Sequence, residues 1–468
     1  METWSELTTE ADAVRVFHGD SRDVLKAFPD AHFDSVVCDP PYALVSITKR
    51  FGAENAAPAQ VGASGAYARA SAGFMGQKWD TGETAFAVTF WAEVMRVLKP
   101  GGHVIAFSGT RTYHRLAVAI EDAGFEIRDM VAWLYGSGFP KSHDVSKGID
   151  KAAGAERAKV RVDAADLKNP PNMLGGVHSG ANDRPWREAA MANGFHEKDG
   201  DEPATDAARQ WQGWGTALKP ALEPIVLARK PLTGTVAANV LQHGTGALNI
   251  DAGRIEAKGR PLIESRSDAS QGVFGDGLNG SRHAGQTDLG RWPANVIHDG
   301  SEEVTRAFPE TGASSGAPRN NTTSLGSSSG GIYGAGAGFV GAGHEDGGGS
   351  AARFFYSAKA DAEDRLGSKH PTVKPVDLMA YLVRLVTPPG GLTLDPFAGS
   401  GSTGLGAMRE GMRCVLIERE GAYIGDIVRK LAWAKGEGRL TALEVARLDT
   451  PEKHAAASGA GLPLFGDA

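Results

Sequence analysis

The run Leu392-Thr393-Leu394-Asp395-Pro396-Phe397-Ala398-Gly399-Ser400-Gly401-Ser402-Thr403-Gly404 constrains this chain more than any other. A short apolar strand enters a turn with two glycines one residue apart, and a helix leaves it over Ser402–Glu410. Strand, glycine turn and helix in that order build ligand sites in open parallel sheets. Glycine at 399 and 401 lets the backbone approach a ligand where a side chain would clash. The spacing is Gly-x-Gly, short of the full G-x-G-x-x-G fingerprint, and no lysine stands where a phosphate-gripping loop needs one. Ser402 and Thr403 fall in the first helical turn, whose free N–H groups suit a carboxylate. Glu418 ends the next strand, where an acidic residue can pair with ribose hydroxyls. Asp395, Phe397 and Glu418 at these spacings strengthen a turn that would be weak alone.

A second turn stands near the other end. Ser35-Val36-Val37-Cys38 reads as a buried strand, and Asp39-Pro40-Pro41-Tyr42 stops it, because two prolines cannot donate to a sheet ladder. The result is a rigid edge with one carboxylate, free carbonyls and one aromatic face. Alone, such a tetrapeptide is usually just a loop, and Tyr42 could be a core aromatic.

Between and around these turns, apolar runs alternate with helical spacing. Val14–His18, Phe33–Cys38 and His103–Phe107 read as strands, and Phe86–Leu98 and Tyr113–Ala123 as helices. Ile127–Tyr135 is extended, and its hairpin partner comes only at Pro224–Lys230. A helix through Leu385, the strand into the glycine turn, Arg413–Ile417 and a helix over Tyr423–Ala434 complete the pattern. Strands alternating with helices predict an α/β fold built on an open, mostly parallel sheet with an antiparallel hairpin. The segment 42–78 reads as a long mobile loop and 142–222 as an insertion. The segment 231–352 is irregular, and 314–350 is close to low complexity.

With 468 residues and 41% hydrophobic content, the chain can hold a packed catalytic domain with large insertions. The N-terminus lacks the basic and apolar regions of a secretion signal, and no run has membrane-spanning length. A cytoplasmic protein without membrane contact is expected. Cys38 and Cys414 lie in apolar runs and read as reduced core residues, and no grouping has the spacing of a metal site. The net charge of −7 does not advertise a nucleic-acid binder, but a local basic cleft can act inside an acidic protein.

Together the two turns resemble the S-adenosylmethionine-dependent amino-methyltransferases that modify exocyclic nitrogens of DNA bases. Phe397-Ala398-Gly399-Ser400-Gly401 is similar to their cofactor motif, and His370-Pro371-Thr372-Val373-Lys374-Pro375 to the segment preceding it. Gly19-Asp20 resembles the acidic corner that touches the cofactor's adenine. The catalytic turn comes first and the cofactor motif last, which matches the permuted β arrangement of the family. Several phrases look like prophage-borne members.

The resemblance implies a permuted Rossmann-like sheet with an irregular inserted target-recognition region, and a restriction-modification type of activity. Residues 1–141 would carry the catalytic turn, 142–222 an insertion, and 223–230 a returning strand. Residues 231–352 would read the target, 353–440 bind cofactor, and 441–468 form a flexible tail. Asp39, Pro40, Pro41 and Tyr42 would be catalytic. Asp20, His370, Thr372, Lys374, Asp395, Phe397, Gly399, Gly401, Ser402, Thr403 and Glu418 would bind S-adenosylmethionine. An Asp at the first turn position favours adenine N6 over cytosine N4; a silent DNA-binding relative is the alternative from another class. Double-stranded DNA is the implied partner, and a homodimer fits as well.

Lys141, Arg254, Arg260, Arg266, Arg282 and Arg291 are candidate DNA contacts, each equally compatible with a solvated surface charge. Asn295 and His298 are undecided in the same way. Gly461-Leu462-Pro463-Leu464-Phe465 resembles the peptides that dock on bacterial sliding clamps, without their leading Gln. Packing of that tail on its own domain is the simpler expectation.

Overall fold

The computed structural model describes residues 4–8, 13–42, 83–138, 142–163, 193–257, 260–265, 281–312, 314–315, 319–320, 340–341, 345–346, 348–358, 364–368, 370 and 372–434. The loop expected at 42–78, apart from Tyr42, lies outside them, as do Lys141, Arg266 and the tail. The chain divides into two compact units, residues 135–222 and the remainder.

The larger unit is organised by one ten-stranded sheet. Its strands are β1 (Ser5–Glu6), β2 (Val14–His18), β3 (Phe33–Cys38), β4 (Leu98–Phe107) and β5 (Glu126–Leu134). They continue with β6 (Leu222–Arg229), β7 (Val296–His298), β8 (Tyr356–Ser357), β9 (Leu392–Asp395) and β10 (Arg413–Glu418). Across the sheet the order is β1-β2-β10-β9-β3-β4-β6-β5-β7-β8. From β2 to β4 all neighbours are parallel, with Leu394 opposite Val36 and Cys38 opposite Ala106. The antiparallel element expected at 224–230 is β6, paired antiparallel with β4 and seated between it and β5.

Helices cover the sheet: α1 (Ser21–Val24), α2 (Val88–Val97), α3 (Tyr113–Asp122), α4 (Val236–His243), α5 (Val376–Val386), α6 (Ser402–Arg409) and α7 (Gly421–Ala434). Phe90, Trp91, Val94 and Val97 recur at helical spacing on α2 and are all buried, so this stripe packs on Phe33, Val36, Val104 and Ala106 of the sheet. Asp34 ties the two halves of the sequence together. Its Oδ2 accepts the Leu392 N–H at 2.7 Å, while Oδ1 meets Lys99 Nζ at 2.5 Å.

This order has one consequence for ligands. From β3 the chain moves on to β4, whereas from β9 it moves the opposite way to β10. Between β3 and β9 the connections diverge and leave a crevice at the carboxyl ends of the strands, where open α/β sheets bind ligands. Both singled-out turns, after β3 and after β9, open into it.

The stretch 231–352 holds more regular structure than its composition predicts. Asn239 of α4 is fully buried, with Nδ2 donating to the carbonyls of Pro100 (2.9 Å) and Thr245 (2.8 Å). β7 extends the main sheet beside β5. Both elements are held by polar contacts or are too short for a periodic signal. His298 is not a surface contact: it is buried, with Nε2 3.1 Å from the Ala352 carbonyl and Nδ1 accepting the Gly300 N–H. Asn295 is tied to Asp129 at 3.2 Å.

The smaller unit has a helix at Val145–Ala152, an antiparallel pair, Lys159–Asp163 with Phe195–Asp199, and a short helix at Asp206–Gln210. Its centre is polar. Buried Asp150 meets Arg157 at 2.7 Å and accepts from the N–H groups of Ala204 and Thr205 and the Thr205 hydroxyl. An organising ion pair leaves no hydrophobic period, which is why this stretch reads in sequence only as a polar, poorly periodic insertion. Among the described residues no helix is long and apolar enough to cross a membrane.

Candidate active site

The turn after β3 is held from several directions. Lys374, in the segment leading into α5, is 6% exposed, and its Nζ lies 2.5 Å from Asp39 Oδ2. The same ammonium donates to Tyr42 Oη at 3.2 Å and lies 3.3 Å from Glu223 Oε2. Tyr42 Oη in turn donates to Glu223 Oε2 at 2.9 Å, and the Tyr42 carbonyl accepts from the Thr112 hydroxyl at 3.0 Å. Tyr42 is therefore held at its hydroxyl and at its backbone carbonyl. Among the described residues Asp39 Oδ1 is buried and has no hydrogen-bond partner.

The electrostatics follow from burial and from this charge cluster. Burial, then the Asp39 and Glu223 charges, push the Tyr42 hydroxyl well above its ordinary value, so it stays a donor. Burial raises Glu223, and Lys374 only partly offsets it. Burial alone would lower Lys374, but Asp39 and Glu223 outweigh it and hold the ammonium charged.

The glycine turn after β9 is built differently. Gly399 and Gly401 have φ of +52° and +80°, in the left-handed region that glycine favours. A Cβ on Gly399 would lie 3.2 Å from His370 Nε2, and one on Gly401 as close to Ile427. Gly401 begins α6 with no side-chain cap, so the first-turn N–H groups at Ser402 and Thr403 are not used by a capping side chain. Glu418 closes the turn: Oε2 accepts the Gly399 N–H and Oε1 the Glu420 N–H, each at 2.7 Å. Asp395 accepts the Phe397 N–H at 3.0 Å and the Thr403 hydroxyl at 2.5 Å. Burial pushes Asp395 up to about 7 and Glu418 up to about 8.

The remaining expected cofactor residues flank this turn. His370 is packed edge-on against Tyr423 and accepts the Thr372 N–H on Nδ1; burial pulls it down to about 4, so the ring is neutral. Thr372 itself is exposed. Phe397 packs on Phe90 with centroids 5.2 Å apart. Asp20 lies where β2 ends beside β10, but it caps α1, and both of its oxygens bind Arg22, whose bond lowers its pKa. Lys374, expected with the cofactor group, instead lies against the catalytic turn.

Two residues escaped the sequence reading. Glu223 is the second residue of β6, just ahead of its apolar run, and its acid was the only available signal. Lys430 is 1% exposed and donates to the hydroxyls of Ser400 (3.0 Å) and Ser402 (3.1 Å); burial brings it down to about 8. A lysine on the inner face of an amphipathic helix was its sequence mark. Of the basic DNA candidates with a described side chain, Arg254 is paired with Asp251 and lies over Trp292, and Arg291 lies over Phe354.

The family model described as DNA methylase, of the N6/N4 type, matches residues 33–166 and 279–429, more than half of the chain. The chain belongs to this family. Both turns lie inside the matched segments, and Glu223 lies between them. S-adenosylmethionine is the methyl donor of the N6/N4 family. The chain is 30% identical to the type II methyltransferase M.HindIII of Haemophilus influenzae over 166 residues, 35% of this chain and 38% of that protein. It is 40% identical to the type II methyltransferase M2.DpnII of Streptococcus pneumoniae over 74 residues, 16% of this chain and 27% of that protein. The chain thus spans well under half the length of the curated relatives it matches. The solved PvuII DNA methyltransferase (cytosine-N4-specific) aligns over 93% of this chain and 91% of its own, with 13% identity and a TM-score of 0.39.

Proposed function

We propose that this methylase transfers a methyl group from S-adenosylmethionine to the exocyclic N6 amine of adenine in double-stranded DNA. The observation that carries the reading is the state of Asp39: one carboxylate oxygen is tied to Lys374, and the other is buried and without a described partner beside the glycine turn. A buried acceptor of that kind suits an N–H donor brought by a ligand.

An exocyclic amine is a weak nucleophile because its lone pair is delocalised into the ring. Asp39 Oδ1 takes one N–H and the Pro40 carbonyl the other, which makes the nitrogen more tetrahedral and orients its lone pair. Tyr42, fixed by Glu223 and Thr112, offers its face to the base. The amine cannot be reached inside a duplex, so the base is flipped out, and stacking in the pocket offsets part of the unstacking cost. After transfer the nitrogen is cationic and loses its proton without a strong base.

The glycine turn suits the methyl donor. Its backbone is free of side chains at Gly399 and Gly401, the uncapped start of α6 suits a carboxylate, and Glu418 suits ribose hydroxyls. When bound, S-adenosylmethionine supplies an electrophilic sulfonium methyl. Phe397, His370 and Asp395 shape the turn around it, and Asp20 lies at the neighbouring strand end.

The test is methyl transfer from labelled S-adenosylmethionine to unmethylated genomic DNA, followed by digestion to nucleosides. Label in N6-methyladenine, lost in Asp39→Ala, is expected. Label in N4-methylcytosine would keep the mechanism and overturn the choice of base. DNA without label, despite measurable cofactor binding, would overturn the reading.

A further inference from the structure

A lone Lys–Asp pair would be a poor acceptor for a weakly acidic amine. An ammonium 2.5 Å from one carboxylate oxygen draws electron density from the other and weakens it as an acceptor. Here the ammonium does not belong to Asp39 alone. Among the described residues it donates hydrogen bonds to Asp39 Oδ2 and Tyr42 Oη and forms an ion pair with Glu223 Oε2 at 3.3 Å. Two carboxylates face one cation, so the cluster carries a negative charge in excess when both acids are ionised. Glu223 is the first residue of the larger unit after residues 135–222, and it lies outside both segments matched by the family.

We propose that Glu223 is a positioning residue of the base pocket: by sharing the Lys374 ammonium and anchoring the Tyr42 hydroxyl, it keeps Asp39 Oδ1 electron-rich and aimed at the amine. The proposal rests on Asp39 acting as the amine acceptor, as argued above. The role is distinct from contact with the base. Glu223 acts through Lys374 on Asp39 and through Tyr42 on the stacking face.

The consequence is a pH dependence with a definite sign. The charged and titratable groups facing Glu223 are Lys374 from the segment before α5, and Asp39 and Tyr42 from the turn after β3. His370, which also feels Asp39 and Lys374, is already neutral in the working range. Burial raises Glu223 above its ordinary value, so it takes up a proton as pH falls, while Asp395 and Glu418 of the glycine turn titrate in the same range in every variant compared. Protonation would leave Lys374 to Asp39 alone and slow transfer. Glu223→Gln fixes the pocket in that neutral form.

The experiment measures single-turnover methyl transfer to unmethylated genomic DNA between pH 5.5 and 9 for the wild type, Glu223→Gln and Glu223→Asp, with S-adenosylmethionine affinity by calorimetry. Glu223→Gln is expected to transfer about ten- to a hundredfold more slowly on the alkaline plateau. Its acid limb should be flattened and its cofactor affinity kept within about twofold. Glu223→Asp, which keeps the charge, should retain the acid limb at a reduced rate. A Glu223→Gln variant with the wild-type rate and acid limb would overturn the inference. So would equal losses at every pH accompanied by lost cofactor affinity, or an Asp variant without the limb. A wild type that binds cofactor but labels no DNA would instead overturn the parent reading, and this inference with it.

Discussion

Lys374 Nζ lies 2.5 Å from Asp39 Oδ2, although 335 positions separate the two residues along the chain. The contact joins the segment before α5 to the turn after β3, across the point where the sheet reverses its order. It also leaves the other Asp39 oxygen without a described partner. Removing the lysine should therefore harm both folding and chemistry. Lys374→Met would strand two carboxylates in a largely dry pocket, at a cost of about 3 kcal/mol. In urea unfolding, the double variant Lys374→Met/Glu223→Gln should be less destabilised than the sum of the two single changes. Strict additivity would mean that the three groups do not act as a unit.

Asp39→Asn presents an amide N–H where the amine needs an acceptor, or leaves Oδ1 in place with less charge. Methyl transfer should fall by about a hundredfold or more, with cofactor affinity nearly unchanged. Calorimetry beside the transfer assay separates the two. Parallel losses in both would assign Asp39 to cofactor binding.

Gly401 holds φ +80° at the start of α6, and Ile427 lies 3.2 Å from the position a Cβ would take. Gly401→Ala should cost about 1–2 kcal/mol of backbone strain. If the turn relaxes to relieve it, S-adenosylmethionine should bind about tenfold more weakly. An unchanged dissociation constant would show that the turn does not need this conformation to hold the cofactor.

Asp395 and Glu418 are buried acids whose pKa values in the fold, about 7 and about 8, lie above the unfolded values of 3.8 and 4.5. A raised pKa means that the folded chain binds the proton more tightly. Their contribution to stability is thus full below about pH 4 and is lost as pH rises through about 8. The thermal midpoint of the cofactor-free protein should decline across that window. Glu418→Gln sets an amide N–H₂ against one of two backbone donors, so its midpoint should be lower at every pH and depend less on pH. A wild-type midpoint that climbs between pH 5 and 8 would contradict these assignments.

Asp34 joins β3 to the start of β9 through the Leu392 N–H, and to Lys99 on β4. Asp34→Ala leaves a buried N–H unsatisfied and should destabilise by about 2–3 kcal/mol in chemical denaturation. Asp34→Asn, which can still accept from Leu392, should lose less. Equal losses would place the weight on the Lys99 pair.

Much of the fold is legible in the sequence because its signals are local. The runs at Val14–His18, Phe33–Cys38 and Arg413–Glu418 are strands, and the stripe Phe90, Val94 and Val97 is a buried helix face. Each reports its own burial through spacing alone. Elements fixed by distant polar partners leave no such mark. α4 is pinned by Asn239 on Pro100, and the unit at 135–222 is centred on Asp150 and Arg157. Three-residue β7 is too short to show a period, so its place beside β5 could not be read.

By itself the sequence determined the two turns. Paired prolines must end a strand, and glycines at 399 and 401 permit left-handed backbone that other residues resist, so both shapes are written in a few adjacent residues. Only the tertiary structure decided what faces them. Lys374, read as part of the cofactor segment, lies on Asp39. Glu223, unremarkable just ahead of the apolar run of β6, holds Lys374 and Tyr42 together, and Lys430 reaches Ser400 and Ser402 from α7. The physical reason is the range of each effect: backbone restriction acts within one or two residues, whereas charge pairing acts through space between segments that the sheet alone brings together.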